Sequence, residues 1–224
     1  MEEIILIDKP AGITSFGVVA KVRRALSQKT GIKKIKVGHT GTLDPFATGL
    51  LILLVGKATK KSNDFLKLDK EYEAEIKLGE VSTTGDPEGI VQKKYSGPAP
   101  SETEIKKIIQ SFIGEIDQKV PAFSAIKING ERAYKLARKG LEVDAPTRKV
   151  HIYNIDILDY QFPTLKIRTQ VSSGTYIRTL GEDIGQALGT GAYLTALRRT
   201  KIANYDVKDS LTLEQFSEKC VSAF

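Results

Sequence analysis

Cysteine and histidine are nearly missing: the 224 residues include one cysteine, Cys220, and two histidines, His39 and His151. A lone thiol cannot close an internal disulfide, and three such ligands are too few for a zinc site. A reducing compartment and a chemistry with neither metal nor cofactor are the expectation. Long apolar runs are missing too. The start, Met1-Glu2-Glu3, is acidic, and Ile4-Ile5-Leu6-Ile7 is much too short for a membrane span or a signal peptide. That predicts a soluble, cytoplasmic protein with no membrane partner. Internal repeats, low-complexity tracts and coiled-coil heptads are also lacking, which excludes solenoids and long coiled coils.

What the chain does have is positive charge. Its 34 Lys and Arg against 27 Asp and Glu give a formal charge of +7 and a pI near 9.3, a balance that points to a polyanionic partner without naming it. The basic residues cluster at Lys33/Lys34/Lys36, Lys57/Lys60/Lys61, Arg132/Lys135/Arg138/Lys139 and Arg198/Arg199/Lys201, expected to touch phosphates without reading bases. With 41% hydrophobic residues, a chain of this length supports one good-sized core. A single domain over residues 1–224 is expected.

Ile4 to Ile7 reads as a short strand closed by Asp8-Lys9-Pro10. Ser15 is a candidate N-cap for a helix with apolar residues at Val18, Val19, Val22 and Leu26. Tyr72, Ala74, Ile76 and Leu78 alternate with Glu71, Glu73, Glu75 and Lys77, the period of a half-buried strand. Ser96-Gly97-Pro98-Ala99-Pro100 is a linker, either a connection within the domain or the start of a subdomain around residues 97–146. Ser101 and Glu104 then form a capping box that opens a helix. Asn129-Gly130 marks a turn, followed by a short helix through Ala133, Leu136 and Ala137 to Gly140. Val150 to Leu158 and Leu165 to Val171 form paired strands. A helix with Ile177, Leu180, Ile184 and Leu188 follows, and a terminal helix falls within Leu211 to Phe224. The fold class read from this pattern is α+β around a mixed, largely antiparallel sheet.

The most informative stretch is Gly38-His39-Thr40-Gly41-Thr42-Leu43-Asp44-Pro45, just before the apolar run Leu50 to Val55. Two glycines and a proline fix an irregular backbone able to approach a ligand closely and display one carboxylate, Asp44. An ordinary Asp-Pro turn is the plain alternative.

From Gly38 through Gly49 to Lys57, this stretch resembles the catalytic segment of the TruB family, the tRNA pseudouridine-55 synthases. Further segments match in order: Leu6-Ile7-Asp8-Lys9-Pro10 with Gly12 and Ser15; Lys70-Glu71-Tyr72; Pro121 to Lys127 with Gly130; Ala137 to Gly140; and Gly174-Thr175-Tyr176-Ile177-Arg178-Thr179-Leu180. The resemblance implies a pseudouridine synthase fold and isomerisation of the T-loop uridine of tRNA, flipped out of its stack, by a stand-alone monomer needing no protein partner.

In that reading Asp44 is the nucleophile on ribose C1′ or the base at C2′, and the two routes stay open. Arg178 is its cationic partner. Tyr72 stacks on the target base and helps move the C5 proton, and His39 is a wedge in the RNA. Lys9, Tyr176 and Leu180 shape or line the pocket. Asp86 is carried over from Ser82-Thr83-Thr84-Gly85-Asp86, a segment that departs from the family pattern at Thr83. Many members continue into a PUA-type RNA-binding module for which this chain has no residues, so affinity or substrate scope is expected to differ. Without the family, Tyr72 is a core or edge-strand aromatic, His39 a satisfied loop histidine and Arg178 a surface arginine. A non-catalytic RNA-binding module would use the same clusters. A hydrolase built on Asp44 would want a second carboxylate nearby, which the sequence does not offer.

Overall fold

The computed structural model describes residues 2–124, 126–128, 130–133, 136 and 145–221. Asn129 of the expected turn, the expected helix end at Ala137 to Gly140, and Lys135, Arg138 and Lys139 lie outside the described residues. In chain order the elements are β1 (Glu2–Lys9), α1 (Ser15–Thr30), β2 (Val37–His39), β3 (Thr48–Gly56), α2 (Ser62–Leu66), β4 (Lys70–Leu78), β5 (Glu80–Ser82), β6 (Val91–Lys93), α3 (Glu102–Ser111), β7 (Gly114–Lys119), β8 (Lys127–Ile128), β9 (Glu131–Arg132), β10 (Thr147–Gln161), β11 (Thr164–Val171), α4 (Ile177–Ala187), β12 (Ala192–Ile202), β13 (Tyr205–Asp206) and α5 (Leu213–Val221). The fold is α+β with a mostly antiparallel sheet, as the hydrophobic periods indicate. The chain forms two compact units, Met1–Glu73 with Leu197–Phe224, and Ala74–Ala196. The boundaries fall within β4 and β12, not at the proline-rich linker.

In the first unit β3 is the central strand. It pairs antiparallel with β1, in register from Glu2↔Gly56 to Lys9↔Gly49, and with β2. It pairs parallel with β12 at Arg198↔Thr48 and Arg199↔Gly49. Leu51, Leu53 and Val55 pack with Val18, Val19, Val22 and Leu26 of α1 and with Leu213 and Phe216 of α5. The alternate side chains Leu50, Ile52 and Leu54 pack with Ala58, Phe65 and Ile202. Burial on both faces is why β3 reads as an unbroken apolar run. The cap of α1 is Thr14, whose hydroxyl accepts from Gly17 N; Ser15 is the first helical residue. The expected Ser15 cap is therefore corrected by one position, because that hydroxyl is occupied elsewhere, as shown below.

In the second unit the strand order is β4-β11-β10-β7. β10 pairs antiparallel with β11 and with β7 from Thr147↔Lys119 to Ile152↔Gly114. Tyr72, Ala74, Ile76 and Leu78 of β4 are buried, while the alternating charged residues stay partly exposed. The capping box of α3 is complete, with Ser101 accepting from Glu104 N and the Glu104 carboxylate accepting from Ser101 N at 2.8 Å. No described helix is long and apolar enough to cross a membrane.

Candidate active site

The loop that carries Asp44 is pinned from both sides by the segment joining β1 to α1. Before Asp44, Leu43 gives its amide to Ser15 Oγ at 2.8 Å, and the same hydroxyl donates to the Leu43 carbonyl at 3.0 Å. After it, the Pro45 carbonyl accepts from Gly12 N at 2.8 Å and from Lys9 Nζ at 3.3 Å. Asp44 turns the chain itself, its carbonyl accepting from Ala47 N at 3.1 Å. Its side chain remains half-buried. Such a backbone cannot shift the Cα that carries the carboxylate without breaking several hydrogen bonds.

Lys9, expected to shape the pocket wall, reaches the Pro45 carbonyl at this turn. It is 0% exposed, and its ammonium also donates to the carbonyls of Pro10 at 2.9 Å and Ile13 at 2.8 Å. A buried cation satisfied by main-chain carbonyls is a clamp on this turn. A second clamp comes from Arg199, whose Nε donates to the Leu50 carbonyl at 2.7 Å and whose NH2 donates to the Gly41 carbonyl at 3.2 Å. Arg199 is 1% exposed, which overturns its expected role as a phosphate contact. Its neighbour Arg198 forks onto the two oxygens of Asp8 at 3.1 and 2.7 Å, and Lys201 pairs with Glu71. This basic cluster mostly fastens the unit together.

His39 ends β2, half-buried, with Nδ1 accepting from Gly41 N at 3.4 Å. Burial, and after it the charge of Arg199, holds its pKa below the usual histidine value, so the ring is neutral at pH 7. Tyr72 is buried on β4. Close by in sequence, Lys70 is also buried, with Nζ donating to the carbonyls of Leu66 and Leu68. Burial, with the Arg199 charge second, pushes Lys70 down to about 8, against the opposing pull of Asp69.

In the second unit Arg178 is 4% exposed at the start of α4. Its NH1 donates to the Thr84 carbonyl at 2.8 Å and to Asp86 Oδ2 at 3.2 Å, while NH2 donates to the Phe123 carbonyl at 2.8 Å. The surface-arginine alternative is excluded. Asp86, carried over from a segment of imperfect match, is thereby a structural partner of Arg178. Tyr176, at the N-cap position of α4, is bracketed by the fully buried Gln118. That amide accepts from Tyr176 N at 2.7 Å and donates to its carbonyl at 3.0 Å. The Arg148 guanidinium lies 5.7 Å from the centre of the Tyr176 ring. Leu180 is 0% exposed, a packing residue of this unit. Burial raises Glu182 to about 7 against the opposing pull of Arg178, with Asp183 and Asp86 adding to the rise.

Residues 23–177 match the TruB family pseudouridylate synthase N-terminal domain, and residues 178–223 match the tRNA pseudouridylate synthase B C-terminal domain. The chain belongs to the TruB family. Among its relatives, tRNA pseudouridine synthase B of Phocaeicola vulgatus is 44% identical over 216 residues, covering 96% of this chain and 92% of the relative. The same-named protein of Clostridium tetani is 45% identical over 224 residues, covering all of this chain and 75% of the relative. Among solved structures, a chain of a Cbf5-Nop10-Gar1 complex superimposes with a TM-score of 0.73 at 31% identity, covering 96% of this chain and 53% of that one. A chain of an H/ACA RNP bound to a substrate RNA containing 2′-deoxyuridine gives a TM-score of 0.70 at 30% identity, covering 96% and 52%.

For this TruB family member, Lys9, Ser15 and the Asp44 loop are brought together in the first unit, which also holds His39 and Tyr72. Tyr176, Arg178 and Leu180 sit together at the start of α4 in the second. Reading the sequence missed the clamping role of Arg199, because a basic pair beside a lysine looks like a solvated face. The one available signal was spacing: Leu197 and Arg199 stand two apart in the strand β12 and are both buried, but the charged residues around them hide that step.

Proposed function

We propose that this enzyme isomerises the T-loop uridine of tRNA, position 55, to pseudouridine, working alone as a monomer with Asp44 as the reacting carboxylate. The reaction cuts the bond from uracil N1 to ribose C1′, turns the freed base, and joins C5 to C1′, with loss of the C5 proton and uptake of a proton at N1. The single observation that carries this reading is the double anchoring of the peptide groups flanking Asp44. A carboxylate mounted on a fixed stretch of main chain is the support that attack on C1′, or proton removal at C2′, requires. The family resemblance assigns the cation of the reaction to Arg178, whose guanidinium is fixed by its carbonyl and carboxylate partners, and the stacking group to Tyr72. His39, uncharged at neutral pH, suits a wedge among unstacked bases. The exposed lysines at Lys33, Lys34 and Lys36 are available to phosphates.

The test is to incubate the purified chain, with no other protein or RNA added, with an unmodified tRNA transcript and to map pseudouridine chemically. A single new pseudouridine in the T-loop is expected. No pseudouridine until a second protein or a guide RNA is supplied would overturn the stand-alone reading, and a different modified position would overturn the T-loop assignment.

A further inference from the structure

We infer that Phe16 is a stacking platform for an unpaired nucleotide of the RNA, beside the one presented to Asp44. The inference deepens the functional reading above and rests on RNA being the substrate. Phe16 is 65% exposed, and no other described aromatic leaves as much of itself in water. Single exposed apolar residues are common and usually mean nothing. Phe16 differs in where its backbone is held. It follows Ser15, whose hydroxyl makes both hydrogen bonds to Leu43, and Leu43 is the chain neighbour of Asp44. The ring therefore stands on the residue next in the chain to Ser15, whose side chain is tied to the Asp44 loop.

Its support is rigid as well. Thr14 caps the helix through Gly17 N at 2.9 Å and accepts from Val18 N at 3.1 Å. Val18 and Val19, at 0% and 2% exposure, anchor the same turn in the core. An aromatic on a rigid helical turn brings no backbone ordering cost to contact with a base, and its ring has only two torsions to settle. Every base offers a π-face, so the contact is tolerant of sequence. Lys21 and Arg24, exposed farther along α1, supply the charge that draws a polyanion to this helix.

The test uses T-arm hairpins carrying the fluorescent base 2-aminopurine, one at a time, at the nucleotides flanking the target, with the wild type, Phe16→Ala and Phe16→Tyr. Wild type should quench one of these positions on binding, and Phe16→Ala should not. Phe16→Ala should raise KM for the RNA by about 5- to 100-fold with kcat within about twofold of wild type. Phe16→Tyr should restore both readouts. Because no phosphate contact is lost, the slope of log affinity against log salt should stay the same in Phe16→Ala. Since the side chain is exposed, its melting temperature should match wild type. A KM unchanged in Phe16→Ala, an equal defect in Phe16→Tyr, or a reduced salt slope would each overturn the inference. The fluorescence titration needs no turnover, so it reports on Phe16 even if the catalytic reading fails. Full wild-type activity with an indifferent Phe16→Ala would overturn this inference alone.

Discussion

Ser15 and Leu43 are joined twice by one hydroxyl, which accepts the Leu43 amide at 2.8 Å and donates to the Leu43 carbonyl at 3.0 Å. The serine is 2% exposed, so neither backbone group has water as a substitute when the hydroxyl is removed. Ser15→Ala should cost about 1–3 kcal/mol of stability, the penalty for stranding buried polar groups. It should also lower kcat more than it raises KM, because the loop it frees carries the carboxylate proposed to react. Thermal unfolding and steady-state kinetics check both halves; an unchanged kcat would show that Asp44 needs no such support.

The Arg178 and Asp86 side chains form an ion pair at 3.2 Å with only 5% and 4% of their surface exposed. The guanidinium also serves two carbonyls, a forked geometry that the compact ammonium of a lysine cannot reproduce. Arg178→Lys should reduce kcat at least about tenfold while RNA affinity stays within about threefold. Single-turnover kinetics beside a filter-binding titration separates the two, and near-normal turnover would remove Arg178 from the mechanism.

Gly49 lies where β3 pairs closely with β12. Its φ is +103°, and a Cβ placed on it would lie 2.3 Å from the carbonyl oxygen of Arg199. Gly49→Ala should therefore destabilise the protein by about 2 kcal/mol or more, as measured by denaturant unfolding. A stability equal to wild type would mean that the two strands can separate freely there.

Glu182 gives a pH dependence with a definite sign. Its folded-state pKa of about 7 lies above the ordinary carboxyl value of 4.5, mainly through burial. Between those two values the folded protein holds a proton that the unfolded chain gives up, so the stabilising effect is present at low pH and is lost as pH rises. Glu182→Gln stays neutral throughout. The melting temperature of the variant minus that of wild type should grow from about pH 5 to about pH 8, and a constant difference would contradict the assignment.

Where packing and local chemistry agree, the elements are readable from residues alone. The alternation from Tyr72 to Leu78 appears as β4, and Ser101 with Glu104 appears as the cap of α3. Ile177, Leu180 and Ile184 line the buried side of α4. The cap of α1 slipped by one residue because two adjacent hydroxyls, Thr14 and Ser15, can both cap, and the choice is made by Leu43, a contact far away in sequence. β12 was illegible for a related reason. Arg199 occupies a core position where an aliphatic residue is expected, and the carbonyls of Leu50 and Gly41 make that burial tolerable. For the site, the glycine-rich loop made Asp44 the candidate, but nothing local revealed that Lys9 and Arg199 are cations holding that loop's carbonyls.

The central claim is that a fixed Asp44 carboxylate performs the isomerisation, and the most direct measurement is tritium release from tRNA labelled at uridine C5. Wild type should release the label into water, and Asp44→Asn, with nearly the same shape but no negative charge, should bind the tRNA and release none. Label released by Asp44→Asn at a rate comparable to wild type would contradict the account.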